Sequence, residues 1–390
     1  MYDSINFIQG TNFYMNLYCF LLYCFLLLIS LKGNVLNLYG QERYNFRLIL
    51  LFCGMLLFSL TSFVDEDFFH YHELMSEYRG YVIDDEDVGI EAIYQYLIQF
   101  VDGNYVLFRL AVWGSALIAI VFAARRFNAN VYHTLFVIFA GFILIFSYAR
   151  ATLAMAVFTL GVTMVCAASE MDKKMKNLRI ILGLLVLICS FYFHRSMLPV
   201  IAVAICWVLI PYKEWLAKHS LWLFPILVAI FSFVITTAFE ELAVLANSWN
   251  DDGSGTLDKM EHYRTMTSAK SNINGYITLV LKYSSFYVPF FVISNLFRSE
   301  RTLQTDDKRG LWLYIVVFLM MALSTSFLFV NFDSSVLFYR YIYMTFMPLS
   351  LLVVHLKNNR VLKSSQYLWL VALLVINTLL QLFGAVYSEI

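Results

Sequence analysis

Apolar runs long enough to cross a membrane recur along the whole 390-residue chain, and no other feature constrains its fold as strongly. A helix needs roughly 20 mostly apolar residues to cross the roughly 30 Å of hydrocarbon in a bilayer. Hydrophobic residues make up 61% of the chain and charged residues only 14%, which excludes a soluble domain of this size. We therefore predict an all-α polytopic integral membrane protein, with residues 1–390 in a single transmembrane domain. About twelve spans are expected, at 13–31, 46–64, 104–123, 132–148, 151–169, 178–193, 197–211, 221–239, 277–297, 311–330, 341–356 and 367–387.

Basic residues are distributed unevenly between the two sets of alternate loops. Lys and Arg accumulate in cytoplasmic loops, and 18 of the 27 fall in one set. This set is predicted to be cytoplasmic, which places both termini outside. Its members are Lys32, Arg43, Arg47, Arg125, Arg126, Lys173, Lys174, Lys176, Arg179, Lys213, Lys218, Arg298, Arg301, Lys308, Arg309, Lys357, Arg360 and Lys363.

Several classes of function lack their sequence signals. All six cysteines fall inside predicted spans, so none is available for a disulfide or a zinc cluster in an outer loop. The chain has no phosphate-binding glycine loop and no basic face for nucleic acid. The predicted cytoplasmic loops are too short to hold an ATPase or a nucleotide-sugar domain. We expect no cofactor and no nucleic-acid partner, and we assign any chemistry to the outer face.

Two outer segments, 65–103 and 240–276, are long enough to have structure of their own. In the first, Ile90, Tyr94, Leu97 and Val101 recur at helical spacing, which predicts an amphipathic helix in the membrane interface. In the second, a Ser-, Asn- and Gly-containing stretch precedes 257–264 and predicts a loop followed by a short helix. This second segment is either a lid or clamp over the site or a solvated connector.

Arginines occur where the predicted outer connections are tightest. Arg150 lies between two apolar runs, Arg195 follows His194 in an equally short connection, and Arg340 immediately precedes a late span. A guanidinium keeps its charge and offers a fork of donors to phosphate oxygens, so these three arginines are candidates to bind a lipid-linked pyrophosphate. The alternative is that each arginine reaches lipid phosphate or pairs with a structural acid.

Acidic residues and a histidine on the same side supply the complementary chemistry. Transfer to a sugar hydroxyl is helped by a carboxylate or imidazole that accepts its proton, while cations stabilise a departing pyrophosphate. Asp67, Glu91 and His194 are the candidate catalytic residues. Arg109 and Lys282 lie inside spans near their outer ends, where they either line the same cavity or extend to the interface.

Two features of the sequence bear on functions other than a transferase. Residues 65–67 with His70, His72 and Glu73 resemble a ligand set for a divalent ion, but acidic outer loops are usually only solvated, and we expect no metal site. A transporter or flippase usually places charged groups near the bilayer midplane beside broken helices. No charged residue is predicted there, and the five prolines do not form a matched pair of interrupted spans.

In these residues the chain resembles the O-antigen and exopolysaccharide polymerases, the Wzy or EpsG-like family. The similarity consists of Asp67 followed four residues later by Tyr71, Glu91 before an aliphatic helix, Arg150 before an Ala-rich span, Phe193–Ser196, and Arg340 before three successive residues that include two tyrosines. It covers most of 50–210 and, more weakly, the region around 340. The chain differs at Asp65 and Glu66, where the family often has Gly-Thr, and at Ala151, where a small polar residue or Gln is usual.

The resemblance implies a glycosyltransferase of the bacterial inner membrane with a GT-C-like helical core and an active site facing the periplasm. Such an enzyme transfers the growing glycan from undecaprenyl pyrophosphate to the terminal sugar of a second lipid-linked repeat unit. Tyr71 joins the arginines as a substrate-binding residue in this reading. The implied partners are the lipid-linked glycans, the bilayer, a flippase and a chain-length regulator. An O-antigen ligase or a polyprenyl-phosphate-dependent GT-C transferase is the alternative.

Overall fold

The computed structural model describes residues 12–35, 41–61, 75, 92–141, 149–171, 173–248, 273–298, 308–330 and 336–387. Within these residues the protein is helical and contains no β-strand, as the sequence predicts. The α-helices are α1 (Asn12–Val35), α2 (Gln41–Thr61), α3 (Ala92–Phe100), α4 (Tyr105–Arg126), α5 (Val131–Ala140), α6 (Ala149–Ala167), α7 (Lys173–Phe193), α8 (Leu198–Leu209), α9 (Lys213–Ser248), α10 (Ile273–Arg298), α11 (Lys308–Val330), α12 (Val336–Met344), α13 (Phe346–Asn358) and α14 (Ser364–Tyr387).

Six of these helices are long and apolar enough to cross a membrane by length and composition: α4, α6, α7, α9, α11 and α14. Shorter apolar helical segments occur at Leu17–Ser30, Asn45–Leu60, Val131–Ala140 and Arg195–Leu209. A multi-pass helical membrane protein is therefore supported. The twelve-span topology with both termini outside stays a prediction.

The core of the bundle is built around α11. Nearly all of its apolar stretch is enclosed, and it packs against α6, α8, α9, α12 and α13. By contrast, α7 and α9 bury only 17% and 22% of their apolar stretches, so they lie at the periphery. In a bilayer the exposed faces of α7 and α9 would contact lipid, because exposed apolar side chains of this number are unfavourable in water.

The helices α6 and α7 form a closely packed antiparallel hairpin. A Cβ atom added at Gly161 would lie 2.7 Å from the backbone nitrogen of Leu187 and 2.8 Å from the carbonyl oxygen of Gly183. A Cβ atom added at Gly183 would lie 3.0 Å from the carbonyl oxygen of Gly161. The two backbones therefore touch, as they do where small residues mediate helix contacts in membranes.

Polar side chains inside the bundle form hydrogen bonds from one helix to another. Asn377 of α14 donates to the Ser285 hydroxyl at 3.0 Å, and Thr378 donates to the Ala140 carbonyl at 2.8 Å. The Tyr314 hydroxyl lies 2.5 Å from that of Ser220. Such bonds hold helices in register where lipid offers no alternative partner.

Two of the differences from the predicted spans change the architecture. The span predicted at 341–356 is divided into α12 and α13 at Thr345, because Pro348 has no N–H to donate to Met344 four residues earlier. The helix predicted at 221–239 is longer, and α9 runs from Lys213 to Ser248. The predicted outer segment 240–276 therefore begins as helix, and residues 249–272 lie outside the described part of the chain.

Candidate functional site

The bundle has two chemically distinct ends, and the antiparallel helices α6 and α7 run from one end to the other. Arg150 at the start of α6 and His194 after α7 lie at one end, called here the site end. The start of α4 lies there too, since Arg126 at its other terminus is close to Arg179 near the start of α7. The opposite end, called the basic end, holds the last turn of α4 and the first turns of α7, α9 and α11.

Tyr94 joins three elements at the site end. Its side chain is 1% exposed, its hydroxyl donates to the backbone carbonyl of Arg150 at 3.3 Å, and its ring lies 6.1 Å from that of Phe108 on α4. Helix α3 also contacts α7. The short helix predicted from the spacing of Tyr94 and Leu97 is therefore present, and it lies over the first turn of α6.

The exposed side of α3 carries two aromatic side chains. Tyr96 is 71% exposed and Phe100 is 87% exposed. Aromatic side chains at the end of a membrane-spanning bundle are typical of residues that lie among lipid headgroups. An interfacial position for α3, as predicted from its sequence, is consistent with this surface.

Arg150 is the second residue of α6 and is half-buried. The first turn of a helix carries partial positive charge, and a cation there is destabilised by about 0.3–1 kcal/mol. The first turn of α6 contains no acidic residue. The backbone N–H groups of this turn and the guanidinium together form an electrostatic environment that favours an anion.

Arg109 is 1% exposed, although it lies only one turn into α4. Its Nη1 donates to the Tyr105 hydroxyl at 3.3 Å, and its Cζ lies 5.7 Å from the centroid of the Tyr105 ring. At 1.5 Å per residue the two Cα atoms differ in depth by about 6 Å. Arg109 is therefore enclosed among the helices and bonds to a residue one turn nearer the start of α4. That it lines a substrate cavity stays a prediction. The Lys282 side chain lies outside the described part.

His194 and Arg195 form the short connection between α7 and α8 that the sequence predicts. His194 is extended, with φ −162° and ψ 114°, and its carbonyl accepts from the backbone N–H of Met197 at 3.0 Å. Arg195 begins a single 3₁₀ turn that leads into α8. His194 is half-buried and Arg195 is exposed.

Comparison of the chain with protein-family models, with curated proteins and with solved structures gave no match. No family is assigned to the protein.

The remaining candidates are described incompletely. Arg340 lies in α12, a helix that packs against α6 and α11, but its side chain is outside the described part. Asp67, Tyr71 and Glu91 also lie outside the described residues, as do 65, 66, 70, 72 and 73 of the possible metal set. Among the residues that are described, no group of three or more His, Cys, Asp or Glu side chains could hold a metal ion.

Sequence reasoning placed Tyr94 on an outer interfacial helix but not against Arg150, and it did not single out Tyr105. Tyr105 could have been found from its spacing, because residues four apart on a helix face one another. The bond from Tyr94 to Arg150 joins residues 56 positions apart, and no local pattern indicates it.

Proposed function

We propose that this protein is a polymerase of lipid-linked oligosaccharide repeat units, which works at the outer face of a bacterial cytoplasmic membrane. It would transfer the growing glycan from undecaprenyl pyrophosphate to the terminal sugar of another lipid-linked repeat unit. The product would be an O-antigen, a capsule or an exopolysaccharide. The GT-C-like core, the twelve spans, the outward site and the flippase and chain-length regulator as partners belong to this proposal.

The observation that supports the proposal most strongly is that the described candidate residues, arginines and a histidine, share the end of the bundle opposite to the basic end. Arg109, Arg150 and Arg195 lie at the site end with His194, and Tyr94 of the short helix α3 bonds to the backbone carbonyl of Arg150. Arg109 is enclosed and Arg150 half-buried, which strengthens their electrostatic effect on a bound anion. A guanidinium can donate two parallel hydrogen bonds to the oxygens of a pyrophosphate, whereas a neutral solute would not neutralise its charge.

The proposed reaction is a displacement at the anomeric carbon of the donor glycan. The acceptor hydroxyl oxygen forms the new bond to that carbon, the bond from the carbon to pyrophosphate oxygen breaks, and undecaprenyl pyrophosphate leaves. The hydroxyl proton passes to a base, for which Asp67, Glu91 and His194 are the candidates. Arg150, Arg195 and Arg340 stabilise the negative charge that develops on the departing pyrophosphate, and Tyr71 contacts the substrate.

The test is a glycan ladder on a gel from cells that lack the gene. The cells are complemented with wild type, Arg150→Ala, His194→Ala or Arg195→Ala. Arg298→Ala serves as a matched control, because Arg298 is an exposed arginine at the last residue of α10. Membrane abundance of every variant is measured by immunoblot.

We expect cells without the gene to attach single repeat units only, and the three site variants to leave the ladder unrestored at normal abundance. The control should restore it. If the cells instead lack all attached glycan while long polymer persists on the lipid carrier, the protein is a ligase. If the site variants restore a full ladder, the proposed site is wrong, and a transport role becomes the better explanation.

A further inference from the structure

Five basic side chains from four helices converge at the basic end of the bundle. Arg126 and Arg309 lie close enough to Arg179 to repel it, and Lys176 repels Lys213 in the same way. Among the described residues, the one ion pair of this group joins Arg309 to Glu170, with 2.5 Å between nitrogen and oxygen. Positive charge therefore exceeds negative charge in the described part of this cluster.

The Trp312 ring contacts both lysines of the cluster. The Nζ atoms of Lys213 and Lys176 lie 4.4 Å and 5.6 Å from the centroid of its ring. The ring of Trp207 packs edge-on against it at 5.8 Å. Two ammonium groups at one indole repel each other, and an anion between them would remove that repulsion.

The backbone and two buried donors add to this attraction for an anion. Helices α7, α9 and α11 all begin at the basic end, so three partially positive helix ends lie near the cluster. The Trp207 side chain is completely buried, and its Nε1 has no acceptor in the described structure. The Nε atom of Arg309 is also buried and has no acceptor there. A group with several acceptor oxygens, such as a phosphate, would satisfy donors of this kind.

We propose that the cluster around Trp312 binds the headgroup of an anionic phospholipid. The exposed side chains beside the cluster favour a lipid over free phosphate. Met175 and Leu178 of α7 are 56% and 51% exposed, and Trp215 of α9 is 52% exposed. Acyl chains attached to a bound phosphate would cover these apolar surfaces, and tryptophan is typical of the headgroup level.

The test uses full-length protein purified in detergent. Short-chain phosphatidylglycerol, phosphatidylcholine or inorganic phosphate is titrated in, and binding is followed by the melting temperature and by native mass spectrometry. The variants are Lys176→Gln and Arg126→Gln, and the matched control is Lys363→Gln. Arg126 is exposed, so its substitution tests the cluster without altering packing, even if Lys176→Gln fails to fold. Lys363 is also exposed, in the connection between α13 and α14.

We expect phosphatidylglycerol to raise the melting temperature of wild type and phosphatidylcholine to leave it unchanged. Each cluster variant should bind phosphatidylglycerol about fivefold more weakly, which corresponds to about 1 kcal/mol for one cation near an anionic headgroup, and the control should bind normally. Equal binding of phosphatidylcholine would overturn the proposal, as would inorganic phosphate stabilising as well as the lipid. Identical behaviour of the cluster variants and the control would also overturn it.

Discussion

Replacing Gly161 by alanine is expected to destabilise the α6–α7 hairpin, which positions both Arg150 and His194. The new Cβ atom would lie 2.7 Å from the backbone nitrogen of Leu187, whereas ordinary contacts begin at 3.4 Å. The two helices must therefore separate by about 0.7 Å, and their backbones cannot yield as a flexible side chain would. Overpacking of this kind costs about 1–3 kcal/mol, and the better helix propensity of alanine returns up to about 1 kcal/mol. We expect a net loss of about 1 kcal/mol.

The matched control is Gly114→Ala in α4, because nothing lies within 4 Å of a Cβ atom added there. Alanine at that position should leave stability unchanged or raise it by up to about 1 kcal/mol through helix propensity. Melting temperatures of the two purified variants in the same detergent make the comparison. If Gly161→Ala melts at or above the temperature of Gly114→Ala, the close approach of α6 and α7 is wrong.

Three further changes test other contacts. Tyr94→Phe removes the bond to the Arg150 carbonyl, and we expect a loss of about 0.5–1.5 kcal/mol in thermal stability and a weaker glycan ladder at unchanged abundance. Arg150→Lys keeps the positive charge but loses the paired N–H donors of the guanidinium, so its ladder should be intermediate between those of wild type and Arg150→Ala. A full ladder would contradict bidentate binding. Asn377→Leu breaks the bond to Ser285, and a drop of about 0.6–1.7 kcal/mol is expected in chemical unfolding, with no drop if the bond does not link α10 and α14.

The sequence predicts most helices because its apolar runs are long and its connections carry polar residues. The tight turn at His194 follows from two predicted apolar spans that leave only three residues between them. The division at Thr345 was missed although Pro348 is visible in the sequence, because proline also occurs inside continuous helices here, at Pro225 and Pro289. Whether a proline kinks or divides a helix depends on what packs around it.

The candidate site was less accessible to sequence reasoning, for a physical reason. Helical periodicity indicates that Tyr94 faces inward, but its partner is set by how α3 lies across α6. The enclosure of Arg109 likewise depends on neighbouring helices, because an arginine near a span end has long enough methylenes to reach the interface. At the basic end, the loop charges predict a common side, yet only tertiary packing brings Lys176 and Lys213 to one tryptophan.

The two proposals can be tested independently because the two clusters of cations interact weakly. Helix α6 has 19 residues, so its ends are about 28 Å apart at 1.5 Å per residue. Two unit charges at that separation interact by about 0.6 kcal/mol at an effective dielectric constant near 20, and by less where salt screens them. A substitution at Arg126 or Lys176 therefore cannot abolish an anion site at Arg150 through charge alone. If Arg126→Gln both weakened lipid binding and abolished the ladder, the link would be mechanical, and the rigid Gly161 contact between α6 and α7 is the element through which it would pass.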